Sequence, residues 1–318
     1  LVEQFNRGVR FLPRRQEMPG AAYWTVSDLF KAQFHDKKAG FSMLIALSYG
    51  WIQRGHPDKD AWHLSQVVSF LKHLFHSTGV NDVALFWDFY SLEQLPRTAT
   101  GNLRFKTALK FMNVIYGYGF SHILRLNDLP PGITKTCERG WPFFEEAVFS
   151  TAHKSALTGI YVCDNRELLV SAGDPGKGQS KALMEGLRAA RNVPMSPCCF
   201  LRQLQDKKFT GNGDREEVEK MYTDNFEMMK LADYLLLDTV WTTAKAHQFA
   251  QVYCHYKHCK YLNIAGTGCD DECCAELVKG LTDYMRQIEQ VDKSSRPPYL
   301  TFTFSAAGPS SEAWKAVM

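Results

Sequence analysis

A continuous apolar run near the start of the chain limits the folds that the chain can adopt. Residues 41–48 read Phe-Ser-Met-Leu-Ile-Ala-Leu-Ser, without the polar alternation of a strand that has one face in water. Such runs are typical of strands that are buried on both faces, as in a parallel sheet covered by helices. Residues 83–88 and 122–126 form two further runs of this kind.

Amphipathic segments separate these runs. Apolar side chains recur at helical spacing in residues 60–77, and a second helical pattern follows the run at 83–88. Another helix is predicted to begin near Gly140, with Pro142 in its first turn, where the missing N–H does no harm. Because strands alternate with helices, the sequence predicts an α/β fold with a doubly wound, mostly parallel sheet.

The length and charge of the chain narrow its class. With 318 residues, the chain is long enough for two domains. Its formal net charge of +3, without a clustered basic stripe, argues against nucleic acid as a partner. No apolar run approaches the roughly 20 residues that a membrane span needs, so the sequence predicts a soluble protein.

The cysteines point to a reducing compartment. There are nine of them, an odd number, and the chain has no Asn-x-Ser/Thr acceptor site. Their spacings are irregular, so we expect free thiols and no metal site. The chain begins Leu-Val without Met or a secretory signal pattern. The sequence is therefore compatible with a cytoplasmic protein and with an organellar protein that has lost a presequence. Whether the termini are native is also open.

The pattern changes after about residue 209. Tyr234 and Tyr261 each open a strand-like segment that is followed by a helical one, and the two tyrosines are 27 residues apart. This spacing, with Leu262, Ile264 and Cys269 on the apolar ladder, resembles leucine-rich repeats, which stack one strand and one helix per unit. Because about three repeats are usually needed to stand alone, we expect the two units to pack on the first domain.

These patterns predict four regions. Residues 1–40 form an N-terminal extension, and residues 41–190 form the α/β domain. Residues 191–290 form a helical linker with the two repeat-like units. Residues 291–318 form a C-terminal tail, in which residues 299–304 are a candidate strand.

Three polar motifs lie where the predicted sheet would bind a ligand. In open α/β sheets, ligands bind outside the carboxyl ends of the strands. One motif follows the first strand, Asp88 closes the second strand, and Trp141 to Glu146 opens a helix. The candidate ligand-binding residues are Ser48, Tyr49, Gly50, Trp51, Asp88 and Trp141.

The order of these motifs resembles the TIR (Toll/interleukin-1 receptor-like) superfamily over roughly residues 41–160. It is also similar to a group of TIR-like proteins from single-celled eukaryotes, some with leucine-rich-repeat-like ends. Members carry Trp-Cys-x-x-Glu at the start of a late helix. This chain reads Trp-Pro-Phe-Phe-Glu from Trp141 to Glu145, so Pro142 replaces the family cysteine. The resemblance implies a TIR/flavodoxin-like sheet and a nucleotide-binding module.

The resemblance also implies a chemistry. In members that cleave NAD the motif glutamate is catalytic, which places Glu145 in that role, with NAD as the substrate and no further cofactor. The nicotinamide–ribose bond would break through an oxocarbenium-like state that Glu145 stabilises. Trp51 or Trp141 would stack on the ring. Ser48 and backbone N–H groups would orient phosphate or ribose.

Each of these residues also has a structural interpretation. The helix dipole favours carboxylates in a first turn, as at Glu145 and Glu146. Asp88 is equally explained as a turn cap, and the tryptophans as core residues. The alternative function is a non-catalytic module that binds protein, or a structural subunit of a larger assembly, through the TIR-like and repeat surfaces. Whether the chain is an enzyme, which protein it binds and its oligomeric state stay open.

Overall fold

The computed structural model describes residues 1–25, 27–28, 42–80, 82–151, 159–171, 176–291 and 299–304. Residues 26 and 29–40 of the predicted N-terminal extension and residues 292–298 and 305–318 of the predicted tail lie outside the described residues. The chain divides into two units, each described here by itself. Unit 1 comprises Leu1–Tyr116, Phe120–Pro142 and Ala156–Ala189, and unit 2 comprises Gly117–Gly119, Phe143–Ser155 and Ala190–Met318.

The first apolar run forms an interior strand of the sheet in unit 1. The strands are β1 (Ser42–Tyr49), β2 (Asp82–Phe86), β3 (Ser121–Leu126), β4 (Ile160–Cys163) and β5 (Arg188–Ala189). Their order is β2-β1-β3-β4-β5, and every pairing is parallel except that of β5, which runs antiparallel to β4. Ile45, Ala46 and Leu47 of β1 are at most 1% exposed. The predicted α/β fold with a mostly parallel sheet is confirmed.

Helices connect these strands. They are α1 (Val2–Asn6), α2 (Trp62–Thr78), α3 (Asp88–Ser91), α4 (Ala99–Lys110), α5 (Met112–Gly117), α6 (Gly140–Thr151), α7 (Arg166–Val170) and α8 (Lys177–Leu187). In α2, Val67, Phe70 and Leu74 are buried in the core of unit 1 beside β1. This helix ends where Gly79 takes a left-handed conformation that glycine adopts without strain. α6 begins in unit 1 and continues in unit 2.

Unit 2 contains a second parallel sheet with three strands. Its elements are α9 (Pro197–Leu204), α10 (Asp214–Met229), β6 (Tyr234–Val240), α11 (Thr243–Tyr253), β7 (Tyr261–Thr267), α12 (Asp271–Val291) and β8 (Tyr299–Phe304). The strands lie in sequence order, and Tyr234, Tyr261 and Tyr299 are in register. The sequence indicated two strand–helix units here, and the candidate strand at 299–304 joins them as the third strand of the same sheet.

One face of this sheet forms the core of unit 2. Side chains alternate along β6 and β7, so that Leu235, Leu237, Leu262 and Ile264 are buried together with apolar residues of α11 and α12. Since one strand and one helix repeat in turn, both helices contribute to the same core. The alternate side chains of the strands lie on the opposite face.

Gly266 allows β6 and β7 to approach closely. It lies in register with Thr239 and has a φ of +132°. A Cβ atom at this position would lie 1.8 Å from the carbonyl oxygen of Thr239. Because that oxygen belongs to the backbone, no side-chain rotation can relieve the overlap, and only glycine fits.

The described helices are too polar or too short to match membrane-spanning helices. Even α12, with 21 residues, alternates charged and apolar side chains. Within the part of the chain that the structure describes, no helix combines the length and the apolar character that crossing a bilayer demands.

We predict that Gly266→Ala lowers the free energy of unfolding by about 3 kcal/mol, because the new methyl group meets the backbone and the φ is unfavourable. Gly186→Ala is the matched control, since Gly186 is exposed in α8 and an added methyl group there would have no atom within 4 Å. This control should raise stability by about 0.5 kcal/mol. Denaturant unfolding measures both. Equal stability of Gly266→Ala and wild type would contradict the close approach of β6 and β7.

Candidate functional site

The carboxyl ends of β1 and β3 meet where the chain reverses its direction across the sheet. The chain runs from β1 to β2 on one side and then to β3 on the other side of β1. In open α/β sheets, a ligand-binding crevice forms at this switch point. Tyr49, the last residue of β1, lies in register with Leu126, the last residue of β3. The loop that begins at Gly50 therefore leaves the sheet at the switch point.

Asp88 organises the polar side chains at this edge. Its carboxylate accepts hydrogen bonds from the Tyr49 hydroxyl at 2.5 Å, from Trp51 Nε1 at 3.1 Å and from the Phe89 N–H at 2.6 Å. Burial raises the pKa of Asp88 above its ordinary value, and these three donors oppose that rise. Burial and the nearby carboxylate raise the pKa of Tyr49 well above its usual range, so Tyr49 stays a donor. The oxygens of Asp88 are thus occupied by the chain's own donors.

A buried histidine supports the same loop. His63 Nε2 lies 3.0 Å from the carbonyl oxygen of Gly50, and because a carbonyl only accepts, Nε2 carries the proton. Burial lowers the pKa of His63, which keeps the ring neutral at physiological pH. Its Nδ1 atom has no hydrogen-bond partner in the structure as described. Asp58 accepts from the backbone N–H groups of His63 and Leu64, so the start of α2 is already capped by a carboxylate.

Arg139 bridges the ends of β1 and β3. Its Nη2 atom donates to the carbonyl oxygen of Trp51 at 2.9 Å, and its Nε atom donates to that of Thr134 at 3.0 Å. The backbone before Arg139 forms a 3-10 turn that begins at Thr136. The hydroxyl of Thr136 donates to the carbonyl oxygen of Leu126 at 3.2 Å, which ties the turn to the end of β3.

The lack of a side chain at Gly50 makes room for this guanidinium. A Cβ atom at Gly50 would lie 2.9 Å from Arg139 Nε and 3.2 Å from Leu129 Cδ1. Burial lowers the pKa of Arg139, while the charge of the neighbouring Glu138 opposes that shift. An arginine side chain nevertheless keeps its charge in proteins. Arg139 is therefore a half-buried cation held against the first loop of the sheet.

The remaining candidate residues lie in β1 and on α6. Ser48 is 0% exposed, and its hydroxyl has no partner within the described part of the chain. Trp141 is half-buried at the second position of α6 and belongs to unit 1. Glu145 follows one helical turn later, is 7% exposed, and belongs to unit 2. The structure thus joins Tyr49, Trp51 and Asp88 in one hydrogen-bonded network.

Sequence reasoning missed His63, Asp58 and Arg139. His63 stands in an apolar helical pattern, where a histidine is ordinarily a core residue. Arg139 lies two residues before Trp141, and this position is the one signal that the sequence contained. A cavity of about 250 Å³ was also not foreseen. It is lined by Arg15, Ser91, Leu92, Glu93, Arg104, Phe105 and Ala108, and within it Arg104 pairs with Glu93 at 3.5 Å.

The cysteines carry no metal centre in the described structure. The described ranges contain no cluster of three or more His, Cys, Asp or Glu side chains that is placed to hold a metal ion. All nine cysteines are free thiols, and Cys259, Cys269, Cys273 and Cys274 are buried in the core of unit 2. Burial raises the pKa of Cys259 and Cys274, which keeps these two thiols protonated.

No protein-family model, curated protein or solved structure matches this chain. The α/β fold by itself does not fix a function, because the same fold supports many activities. Function is therefore inferred from the side chains at the carboxyl ends of the strands.

We predict that Tyr49→Phe lowers the free energy of unfolding by about 2–3 kcal/mol, because a buried carboxylate loses one of its donors. Tyr116→Phe is the matched control. Tyr116 is equally buried and donates to the neutral carbonyl of Leu47 at 2.7 Å, so its loss should cost about 1 kcal/mol. Denaturant unfolding of both variants at neutral pH measures the difference.

This difference should also depend on pH. The charge that distinguishes Asp88 from a carbonyl disappears as the pH falls through its raised pKa, so the excess cost of Tyr49→Phe should shrink there. Subtracting the stability loss of Tyr116→Phe from that of Tyr49→Phe at each pH removes the acid destabilisation that both variants share. Equal costs for the two variants at neutral pH, or a difference that does not change on acidification, would contradict an ionised Asp88 at the centre of the network.

Proposed function

We propose that unit 1 is a TIR-like nucleotide-binding module whose ligand lies at the carboxyl ends of β1 and β3. The observation that carries this proposal is the strand order β2-β1-β3-β4-β5. Sheets with this order bind their ligands at the β1/β3 switch point. Three of the residues on which the resemblance rests, Tyr49, Trp51 and Asp88, lie at that edge in one hydrogen-bonded network.

Trp51 supports a ligand with a planar ring. Its indole is partly exposed, its Nε1 is held by Asp88, and its ring packs edge-to-face on Phe89 at 5.6 Å between centroids. The orientation of the indole is therefore set before a ligand binds. A base or nicotinamide ring that stacks on it would bury apolar area at little further cost in side-chain order.

The reaction that the resemblance implies for this chain is cleavage of the nicotinamide–ribose bond of NAD, with Glu145 as the catalytic residue. Glu145 follows Trp141 by one turn of α6, as in the motif that carries the resemblance. The structure shields this carboxylate from water. A shielded carboxylate stabilises a developing oxocarbenium charge more strongly than one in bulk water does. Water then takes the released ribosyl group.

We predict that the wild-type protein releases nicotinamide from NAD and that Glu145→Gln reduces the rate by about a hundredfold or more, because the stabilising charge is lost. The matched control is Glu146→Gln. Glu146 adjoins Glu145 on α6 and accepts a hydrogen bond from Asn192 at 2.5 Å. The control should keep its rate within about twofold, as expected for a charge outside the reaction. Chromatography of nicotinamide measures all three.

Binding is measured separately from cleavage. Titration with NAD or AMP should quench the fluorescence of Trp51, and Trp51→Phe should remove that part of the signal. Quenching without nicotinamide release would reject the nucleosidase and retain the binding module. The absence of any nucleotide binding would reject the module itself.

A second function, protein binding, is favoured by the open face of the sheet in unit 2. Tyr261 and Tyr299 are 48% and 69% exposed, and their rings stack at 5.4 Å between centroids. Thr301 and Thr303 continue this face along β8, and the exposed Asp238 of β6 lies on it as well. Tyrosine with small polar side chains is typical of surfaces that recognise proteins. The occupant we propose is therefore a protein with a partly apolar surface that contacts the stacked tyrosines.

Site-directed crosslinking tests this second function. A photoreactive residue in place of Tyr261 should capture one defined protein, which mass spectrometry identifies, whereas the same residue in place of the exposed Phe111 of unit 1 should not. The purified partner should then bind Tyr261→Ser/Tyr299→Ser about tenfold more weakly than wild type. Equal affinities, or the same captured protein from both positions, would reject this face as the binding surface.

A further inference from the structure

We infer that Arg139 forms a phosphate-binding subsite at the β1/β3 switch point of unit 1. This inference rests on the proposed nucleotide-binding function and names the chemical group that the site recognises, a phosphate or pyrophosphate. At this edge of the sheet, the carboxylates and the cation differ in their hydrogen-bond partners.

The carboxylates at the edge are each satisfied by donors of the chain. Asp58 accepts from two N–H groups at the start of α2. Asp88 accepts from a hydroxyl, an indole N–H and a backbone N–H. Asp128, two residues beyond the end of β3, accepts from the N–H of Arg166 at 2.5 Å. None of these three carboxylates forms an ion pair with Arg139.

Arg139 is held in the opposite way. Both of its hydrogen bonds go to backbone carbonyls, of Trp51 and Thr134, and it forms no ion pair with any residue that the structure describes. A guanidinium has five N–H donors, so three remain after these two bonds. Carbonyl acceptors orient the side chain without forming an ion pair, and the neighbouring Glu138 acts on it only through its charge.

The position of Arg139 makes this charge useful to a ligand. The guanidinium is half-buried, so an anion that meets it interacts in a medium less polar than water. Its orientation is fixed by the carbonyls of Trp51 after β1 and of Thr134, and the adjoining turn is tied to the end of β3 by the hydrogen bond from Thr136 to Leu126. The planar fork of an arginine matches two oxygens of a phosphate group, which a lysine matches less well.

The competing explanation is that Arg139 only clasps two loops together. Under that explanation, ligand binding would not depend on this residue beyond its effect on folding. The two explanations differ in their response to an inorganic anion, because pyrophosphate carries the recognised group without a base or a ribose.

The test is titration of the full chain with inorganic pyrophosphate, by calorimetry at low and at physiological ionic strength. Wild type should bind, and Arg139→Gln should weaken binding by about ten- to a hundredfold, the range expected for a charged hydrogen bond. Arg54→Gln is the matched control, because Arg54 is exposed in the same connection between β1 and α2. The control should change affinity less than about twofold, as expected for a screened surface charge.

Two further variants test the subsite if Arg139→Gln does not fold. Gly50→Ala keeps the arginine but crowds its Nε atom, so it should also weaken pyrophosphate binding. Arg139→Lys keeps the charge without the fork and should bind between wild type and Arg139→Gln. Circular dichroism and the unfolding temperature identify the variants that fold.

The outcomes separate this inference from the proposed function. Pyrophosphate binding that depends on Arg139 supports the subsite, even if NAD and AMP do not bind and the proposed nucleotide-binding function is rejected. Adenosine or NAD binding that pyrophosphate does not compete with retains the module and overturns the subsite. No pyrophosphate binding by wild type, or equal weakening in the Arg139 and Arg54 variants, also overturns it.

Discussion

The burial of β1 is the constraint on which unit 1 depends. This strand pairs on both edges with parallel neighbours, and Ile45, Ala46 and Leu47 have essentially no contact with water. Polar side chains are costly in the middle of a strand enclosed in this way, so polar groups collect towards its end. The same pairing brings the end of β1 next to the end of β3, which creates the switch point. The position of the candidate site is therefore a consequence of the position of β1.

The charged side chains at this edge differ in their hydrogen-bond partners. Asp58 and Asp88 are satisfied by donors of the chain and act as structural acceptors, whereas Arg139 is oriented by carbonyls and forms no ion pair with a described residue. Partial burial of a cation without an ion pair costs free energy. A ligand anion offers a physical reason for such an arrangement. Trp51, held by Asp88, adds a flat apolar surface beside the same loop.

Unit 2 repeats a simpler design. In β6 and β7, alternate apolar side chains point into the core, and the helix that follows each strand packs on the same face. The strands therefore lie side by side in sequence order. The close approach at Gly266 shows how tightly neighbouring strands are matched, because even one added methyl group meets the backbone of Thr239. The third strand, β8, extends the sheet beyond the two units that the spacing of Tyr234 and Tyr261 indicated. The helix before β8 is longer than the one before β7, so no constant period marks it in the sequence.

The sequence by itself determined the α/β class, because hydrophobic periodicity distinguishes buried strands from amphipathic helices through local geometry alone. It also placed Tyr49, Trp51 and Asp88 at strand ends, since a polar residue after an apolar run marks the point where burial stops. Only the tertiary structure decided what these residues contact. The hydrogen bond from Tyr49 to Asp88 spans 39 residues, and that from Arg139 to Trp51 spans 88. Such partners are set by strand order and register, which depend on pairings across the whole sheet and leave no trace in local residue patterns.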